Sequence, residues 1–350
     1  MFYSKDRLLQ FSKNIFIQCG MPENEAQQAA DVLISADLRG IDSHGVARLS
    51  GYVRLYETQR ANMTPKWGII HETPSTATID ADNGLGLVVA PQAMHIAIEK
   101  AKQVGTGWVA IQNSNHFGIA AYHAMKALPE NMIGIAMTNA SPLVAPTHSK
   151  ERMLGTNPIC VVFPAKKYNP VVIDMATSAA ANGKLEIAQR NNKQIPLGWV
   201  QDKDGNDSVD ANELKNKGSL LPLGGHKGYG LGALVDILTG VLSGANYGPW
   251  VPPFVSFLNP LNDLPGKGIG HFLGAMRIDA FRPADDFLHH IDNWIERFKN
   301  AERINSDQKI IIPGEPEFEM ETERLQTGIP LNKLVEDDLL KLAEQFNIVL

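Results

Sequence analysis

Cysteine is nearly absent from this chain. Its 350 residues hold two, Cys19 and Cys160, far apart. Neither a CxxC pair nor a disulfide framework can be built from them, and a reducing cytoplasm is the expected compartment. Long apolar runs are also missing. The longest, Leu231–Leu242, is interrupted by Gly232, Asp236 and Gly240, which predicts a buried helix rather than a membrane span. The first residues, MFYSKDRLLQF, have no apolar centre of the signal-peptide kind. Basic clusters are lacking, and a net charge of -6 argues against a nucleic-acid partner. The histidines never fall in HExxH spacing and no other ligand set stands out, so no metal is expected. The most glycine-dense run, Leu223–Gly232, fits neither GxGxxG nor GxxxxGK[ST], so a Rossmann or P-loop fingerprint fails on spacing. No internal repeat or low-complexity tract is present.

What remains is an ordinary globular composition, 44% hydrophobic and 20% charged, in a chain long enough for two compact units. Helical spacing of Leu8, Leu9, Phe11, Ile15 and Phe16 predicts a first helix over 4–18, stopped at Cys19-Gly20. Pro22 and the acids Glu23 and Glu25 open a second, and Val46, Leu49, Tyr52, Val53 and Tyr56 mark a third. Composition changes at Met63-Thr64-Pro65. Beyond it, strands are expected near 69–71, 77–79, 108–111, 133–137, 159–163, 171–174 and 271–278. Helices are expected near 92–104, 119–128, 184–191, 282–298 and 334–346, with Gly84, Gly86 and Pro91 punctuating a turn before the first of these. Strands, polar loops and helices in alternation are the mark of an α/β architecture. The turn at Asp202–Asn206 has the look of a calcium loop, but Asp207 stands where an EF-hand needs glycine, so a plain turn is expected.

Six stretches could carry chemistry. In Asp37–Leu49, Asp42, Ser43, His44 and Arg48 crowd together between glycines. A histidine exchanges protons near neutral pH, and an arginine grips a carboxylate with two prongs. The stretch suits a small acid undergoing proton chemistry; equally, His44 could simply end a helix. Asn115-His116 and Asn139–Ser141 occupy loops at strand ends, where α/β folds place functional groups; His116 could instead merely satisfy a loop carbonyl. The small residues of Met175–Lys184 would let backbone approach a ligand, and a helix start there could hold phosphate, although tight helix packing wants the same residues. Lys227, on a glycine-lined turn, could meet a phosphate or substrate oxygen or lie exposed. The aromatic and proline-rich segment Tyr247–Phe254 could line a substrate pocket or cover an interface.

Taken in order, Asp37-Leu38-Arg39-Gly40 with Ser43-His44-Gly45, Asn115-His116-Phe117-Gly118, Gly155-Thr156-Asn157-Pro158, Ile173–Ser178, Gly183-Lys184, Ile195–Trp199, Gly224–Gly230 and Pro313-Gly314-Glu315 resemble the malate/L-lactate dehydrogenase family of the second type. That family also includes ureidoglycolate and sulfolactate dehydrogenases, 2,3-diketo-L-gulonate reductase and a cyclic-imine reductase. The resemblance implies an α/β, non-Rossmann, mixed-sheet cofactor domain over 71–282 and a helical subdomain made of 1–70 with 283–350. It implies interconversion of a 2-oxo acid and a 2-hydroxy acid, malate- or lactate-like, by hydride transfer from NAD or NADP, with NAD favoured. It implies a homodimer with the cofactor near the subunit interface. By motif, His44 is the proton donor, His116 its rival or partner, and Arg48 the carboxylate clamp, with Ser43 and Tyr52 nearby. Ser141, Ile173, Asp174, Met175, Ala176, Thr177, Ser178, Ala179, His226, Lys227, Gly314 and Glu315 match cofactor-contacting regions. Two alternatives stay open: one of the other family substrates, or a catalytically silent dimer that binds a nucleotide or organic acid.

Overall fold

The computed structural model describes residues 1–350, the side chain of Arg190 apart. The chain opens with a short strand β1 (Phe2–Tyr3) and helix α1 (Lys5–Gln18), whose N-terminal cap Ser4 accepts a hydrogen bond from the Arg7 N–H. Helix α2 (Glu23–Leu38) follows, with Glu23 and Glu25 in its first turn, and then two 3-10 turns, Asp42–His44 and Val46–Arg48, lead into α3 (Leu49–Glu57). Leu8, Phe11, Ile15 and Phe16 are buried as their spacing requires. They share one core with Leu33, Leu49 and Tyr52 and, from the far end of the chain, Leu339, Leu342 and Leu350.

Strands β2 (Gly68–Glu72) and β3 (Thr76–Asp80) precede α4 (Gly86–Val104), β4 (Thr106–Ser114), α5 (Ala120–Ala124) and β5 (Met132–Thr138). Then come β6 (Ile159–Phe163), β7 (Val171–Met175), α6 (Asn182–Arg190), and a small three-stranded sheet of β8 (Val200–Gln201), β9 (Asp207–Ser208) and β10 (Ser219–Leu220). Helix α7 (His226–Asp236) passes into a π-helical turn, Ile237–Val241, before β11 (Ile269–Arg277). Helices α8 (Ala284–Lys299) and α9 (Glu315–Thr327), strand β12 (Ile329–Pro330) and α10 (Lys333–Phe346) complete the chain, and β12 pairs with β1.

The main sheet has seven strands in the order β2-β3-β4-β11-β5-β6-β7. Only β3 and β4 run parallel; every other neighbouring pair is antiparallel. This is a mixed α/β fold, as the alternating motifs predict. β5 alternates buried and half-buried residues along its length, the period-2 signature of a sheet face. The small faces of α4 and α5 (Ala93, Ala97, Ala101, Ala121, Ala124) pack on Val109, Ile111, Leu273 and Ala275. No helix among the described residues is long and apolar enough to cross a membrane.

Several sequence expectations need correction. Helix α4 starts at Gly86, not Gln92. Pro91 lies inside it and removes only the one backbone bond its ring cannot donate. The run Leu231–Leu242 is helical but not buried. Gly232, Val235, Thr239 and Gly240 turn inward, while Leu231, Leu234, Ile237, Val241 and Leu242 are exposed, Leu242 by 59%. Apolar residues all round a helix predict burial, yet a single copy of the chain covers one side only. Helix α9 is not marked by the sequence periodicity, because its acidic pattern EPEFEMETERLQT offers a weak apolar stripe. Helix α8 carries Ile295 onto Val171 and Ile312, beside the β7 edge of the sheet.

Candidate active site

The candidate residues of the first stretch are displayed on its tight turns. Ser43 and His44 sit in the first 3-10 turn and Arg48 ends the second. Beneath them lies the buried Asp37, whose carboxylate accepts the Val46 N–H at 2.8 Å. Arg324 of α9 donates to the Asp37 carbonyl and to the Asp42 carboxylate, so the turn is clamped from the core side and from the C-terminal region. Burial pushes the Asp37 carboxyl up to about 8, so at neutral pH it is largely protonated and adds little negative charge under the site.

Above this base, His44 meets His116, delivered by the loop that follows β4. The two imidazoles stack with ring centroids 5.9 Å apart and planes 20° from parallel. The Tyr52 hydroxyl, from α3, lies 2.6 Å from His116 Nδ1, and the Gly118 N–H donates to the same nitrogen at 3.3 Å. His44 Nδ1 faces the Ser43 hydroxyl at 2.8 Å. Arg48 donates from Nε to the Ser43 carbonyl at 2.6 Å and reaches Glu186 of α6 at 3.6 Å. Its fork is thereby aimed, with one prong against a carboxylate that a substrate could displace.

Electrostatics follow from this crowding. Burial, then the Arg48 charge, lowers His44 to about 4. Burial, then His44 and Arg48, holds His116 well below the ordinary imidazole range. Both rings are therefore neutral at pH 7 in the free protein. Burial raises the Tyr52 phenol above its ordinary value, with Arg48 opposing, so Tyr52 acts as a neutral hydroxyl.

Two further neighbours complete the site. Phe254 stacks on His116 at 4.5 Å and tilts against Tyr52 at 5.0 Å. Its N–H donates to Ser141 Oγ at 2.8 Å, and its carbonyl accepts from Arg54. Only the aromatic and proline-rich character of Tyr247–Phe254 hints at it. Glu186 carries no local signal at all, since it reads as one polar residue on a short helix.

The second group of residues separates into three places. Ser141 lies under Phe254. Ile173, Asp174 and Met175 are on β7, where Asp174 accepts the Ala121 N–H at 3.1 Å, and Gly314 and Glu315 stand against the start of that strand, the Val172 N–H donating to the Pro313 carbonyl. Ala176, Thr177, Ser178 and Ala179 run from β7 toward α6. Thr177 accepts the Leu223 N–H, and Ser178 bridges to Pro222, which brings this segment beside His226 and Lys227 at the first turn of α7. Gly224 and Gly225, both with positive φ, precede that turn with nothing within 4 Å of where a Cβ would project. The helix start is thus open and presents unpaired N–H groups and Lys227, a donor set suited to phosphate.

The model of the malate/L-lactate dehydrogenase family matches residues 3–340. The malate dehydrogenase of Pyrococcus horikoshii is 43% identical over 98% of this chain and 95% of its own length. The malate/(S)-sulfolactate dehydrogenase of Methanothermus fervidus is 39% identical over 95% of this chain and 94% of its own. The solved structure of the Pyrococcus horikoshii malate dehydrogenase superposes with a TM-score of 0.90 at 40% identity, covering 100% of this chain and 96% of that one. The paired imidazoles, the aimed arginine and a match running almost end to end lead to one conclusion: the chain belongs to the malate/L-lactate dehydrogenase family and is a 2-hydroxyacid dehydrogenase.

Proposed function

We propose that this protein interconverts a malate- or lactate-like 2-hydroxy acid and its 2-oxo acid with NAD or NADP, through His44 as the proton-exchanging residue. The observation that carries this reading is the convergence of His44, Arg48 and Tyr52, from one continuous stretch, with His116, from the loop after β4, on one spot. The nicotinamide supplies the hydride, which leaves an alkoxide to be protonated. Arg48 holds the substrate carboxylate and so fixes which face of the carbonyl is presented. Burial is the main cause that keeps His44 low, and a carboxylate bound there offsets the second, the Arg48 charge, raising the readiness of His44 to carry a proton as substrate arrives. The start of α7, with Lys227, suits the cofactor phosphates. Ser141, the 173–179 segment and Gly314-Glu315 are its further proposed contacts.

Hydrogen-bond direction distinguishes the two histidines. An amide N–H can only donate, so the Gly118 bond requires a lone pair on His116 Nδ1 and places the ring proton on Nε2. Making His116 an imidazolium would set two N–H groups face to face. His44 Nδ1 meets a hydroxyl, which donates to the neutral ring and accepts from the charged one. His44 therefore cycles without breaking its contact, and His116 orients the oxygen through Nε2. We further propose a homodimer that covers the apolar face of α7 and its π-helical turn. Both cysteines are free and buried, in keeping with a reducing, cytoplasmic setting.

The test is a panel of oxaloacetate, pyruvate, diketogulonate and sulfopyruvate with both reduced cofactors. His44→Asn is expected to lower kcat about 10²–10⁴-fold while the cofactor still binds, and His116→Asn to lower it less. Near-normal turnover in His44→Asn would remove His44 from the chemistry. Wild-type inertness across the panel would favour the silent binding protein.

A further inference from the structure

Arg54 is six residues beyond Arg48. Across α3 that separation is a rise of about 9 Å, and both residues line one small cavity of about 100 Å³. Ser50, Glu186, Phe254 and Ser256 complete its polar and aromatic wall. Arg54 is partly buried, and it is fixed there by its bond to the Phe254 carbonyl. The ring of that same Phe254 stacks on His116. Arg54 is therefore tied by one residue to the site where the proton is exchanged.

Charge in this corner does not balance. Arg48 has Glu186 at 3.6 Å. Arg54 has no carboxylate within ion-pair distance, and neither does Arg60, which donates to the Pro253 carbonyl at 2.8 Å. The three guanidinium groups feel one another: Arg48 depresses Arg54, and Arg54 depresses Arg60, each after the effect of burial. Among the described side chains, the three guanidinium groups face one carboxylate, Glu186, an excess of two positive charges. A half-buried cation kept without a partner is costly unless something else meets it. A substrate with one carboxylate would satisfy Arg48 and leave Arg54 unpaired. A substrate with two acidic groups would neutralise the corner.

We propose that Arg54 is a specificity-determining residue that binds the second, distal acidic group of a diacid substrate, a carboxylate or sulfonate, while Arg48 holds the first. The inference rests on the dehydrogenase reading above. It adds a subsite made of Arg54, Ser50 and Ser256, and it ranks four-carbon dicarboxylates and their sulfonate analogues above monoacids. The fork of Arg54 suits such a group, since its remaining N–H donors can pair with two oxygens at once.

The experiment compares kcat/KM for oxaloacetate and pyruvate in the wild type, Arg54→Met, Arg54→Lys and Arg60→Met. The wild type is expected to prefer oxaloacetate. Arg54→Met should lower that preference about 10–100-fold, the loss that follows when a charge-assisted hydrogen bond is removed. Arg54→Lys should fall between, keeping the charge without the fork. Arg60→Met, which loosens the neighbouring carbonyl but does not line the cavity, should change both substrates in parallel. An equal fall for both substrates in Arg54→Met would overturn the proposal and make Arg54 an anchor for Phe254. A wild type that prefers pyruvate would overturn it as well. A wild type active on no 2-oxo acid would overturn the dehydrogenase reading together with this one, an outcome distinct from an active enzyme whose preference is untouched.

Discussion

Gly51→Ala separates positioning from stability. Gly51 is buried in the first turn of α3, and a Cβ built on it would fall 2.6 Å from Phe254 Cζ and 3.0 Å from Cε1. Carbon atoms rest at roughly 3.5–4.0 Å, so the ring must retreat by about 1 Å. It cannot do so freely. Its backbone is held on one side by the Ser141 hydroxyl and on the other by Arg54, and its face lies on His116. The overpacking costs about 1–3 kcal/mol, while alanine in place of glycine returns about 1 kcal/mol of helix propensity. The net loss is about 0–2 kcal/mol, a small shift in Tm for a chain of this size. Activity should respond far more, since a misplacement of about 1 Å can cost about 10²-fold in rate. The assay pairs a thermal melt with kcat/KM for the best 2-oxo acid. The expected result is a Tm within a few degrees of wild type and kcat/KM down by about 10–100-fold, with partial recovery when Phe254→Leu is added. Full activity with an unchanged or raised Tm would refute the reasoning, because it would show that the Phe254 ring does not set the place of His116.

Arg48→Lys keeps a charge but loses both the fork and the Nε bond to the Ser43 carbonyl; KM for the 2-oxo acid should rise about tenfold or more with a smaller change in kcat, and an unchanged KM would make Arg48 structural. His123 is fully buried, donates from Nε2 to the Phe117 carbonyl at 2.7 Å, and is lowered by burial to about 4. The native state thus binds fewer protons than the unfolded chain between pH 6.5 and 4, so His123 costs stability as pH falls through that window, by about 3 kcal/mol at pH 4. His123→Gln, which can still donate to Phe117, should lose less stability than wild type on going from pH 7 to pH 4 in denaturant melts; parallel losses would refute the assignment.

The fold was legible wherever one strong local rule applied. Alternation gave β5, and spacing gave α1. The last helix, expected near 334–346, is found at Lys333–Phe346, where Asn332 caps it by accepting the Leu334 N–H at 2.9 Å. The rules failed where tertiary context decides. Pro91 looks like a stop, yet it sits in α4 because the helix packs on β4 and β11 regardless. Helix α9 has little periodicity of its own and is held by Arg324 on the Asp37 turn and by Arg39 pairing with Glu321. Leu231–Leu242 reads as buried from composition, and no single-chain rule can say which side of a helix its own fold will leave open. At the site, Ser43, His44, Arg48 and His116 were visible as residue types in tight loops, and Tyr52 only through the family resemblance. Phe254 was visible only as part of the aromatic and proline-rich segment that could line a pocket, and Glu186 and Arg54 were not visible at all, because their place in the site lies in distances across the chain that no spacing encodes.

The position of β11 bears on how the protein is made. The strand lies between β4 and β5, pairing with both along most of its length, but it emerges from the ribosome more than 130 residues after β5. Until then, β4 and β5 each present an unpaired edge, and the apolar residues of α4 and α5 have only part of their floor. A nascent chain stopped between Met175 and Ile269 holds two half-sheets with a missing seam. Folding of the sheet is therefore deferred to late synthesis and closes by inserting a strand rather than adding one at the rim. Such non-local closure is slow and leaves strand edges open to wrong partners meanwhile. Truncations in the loop before Ile269 should yield aggregation rather than a smaller folded core.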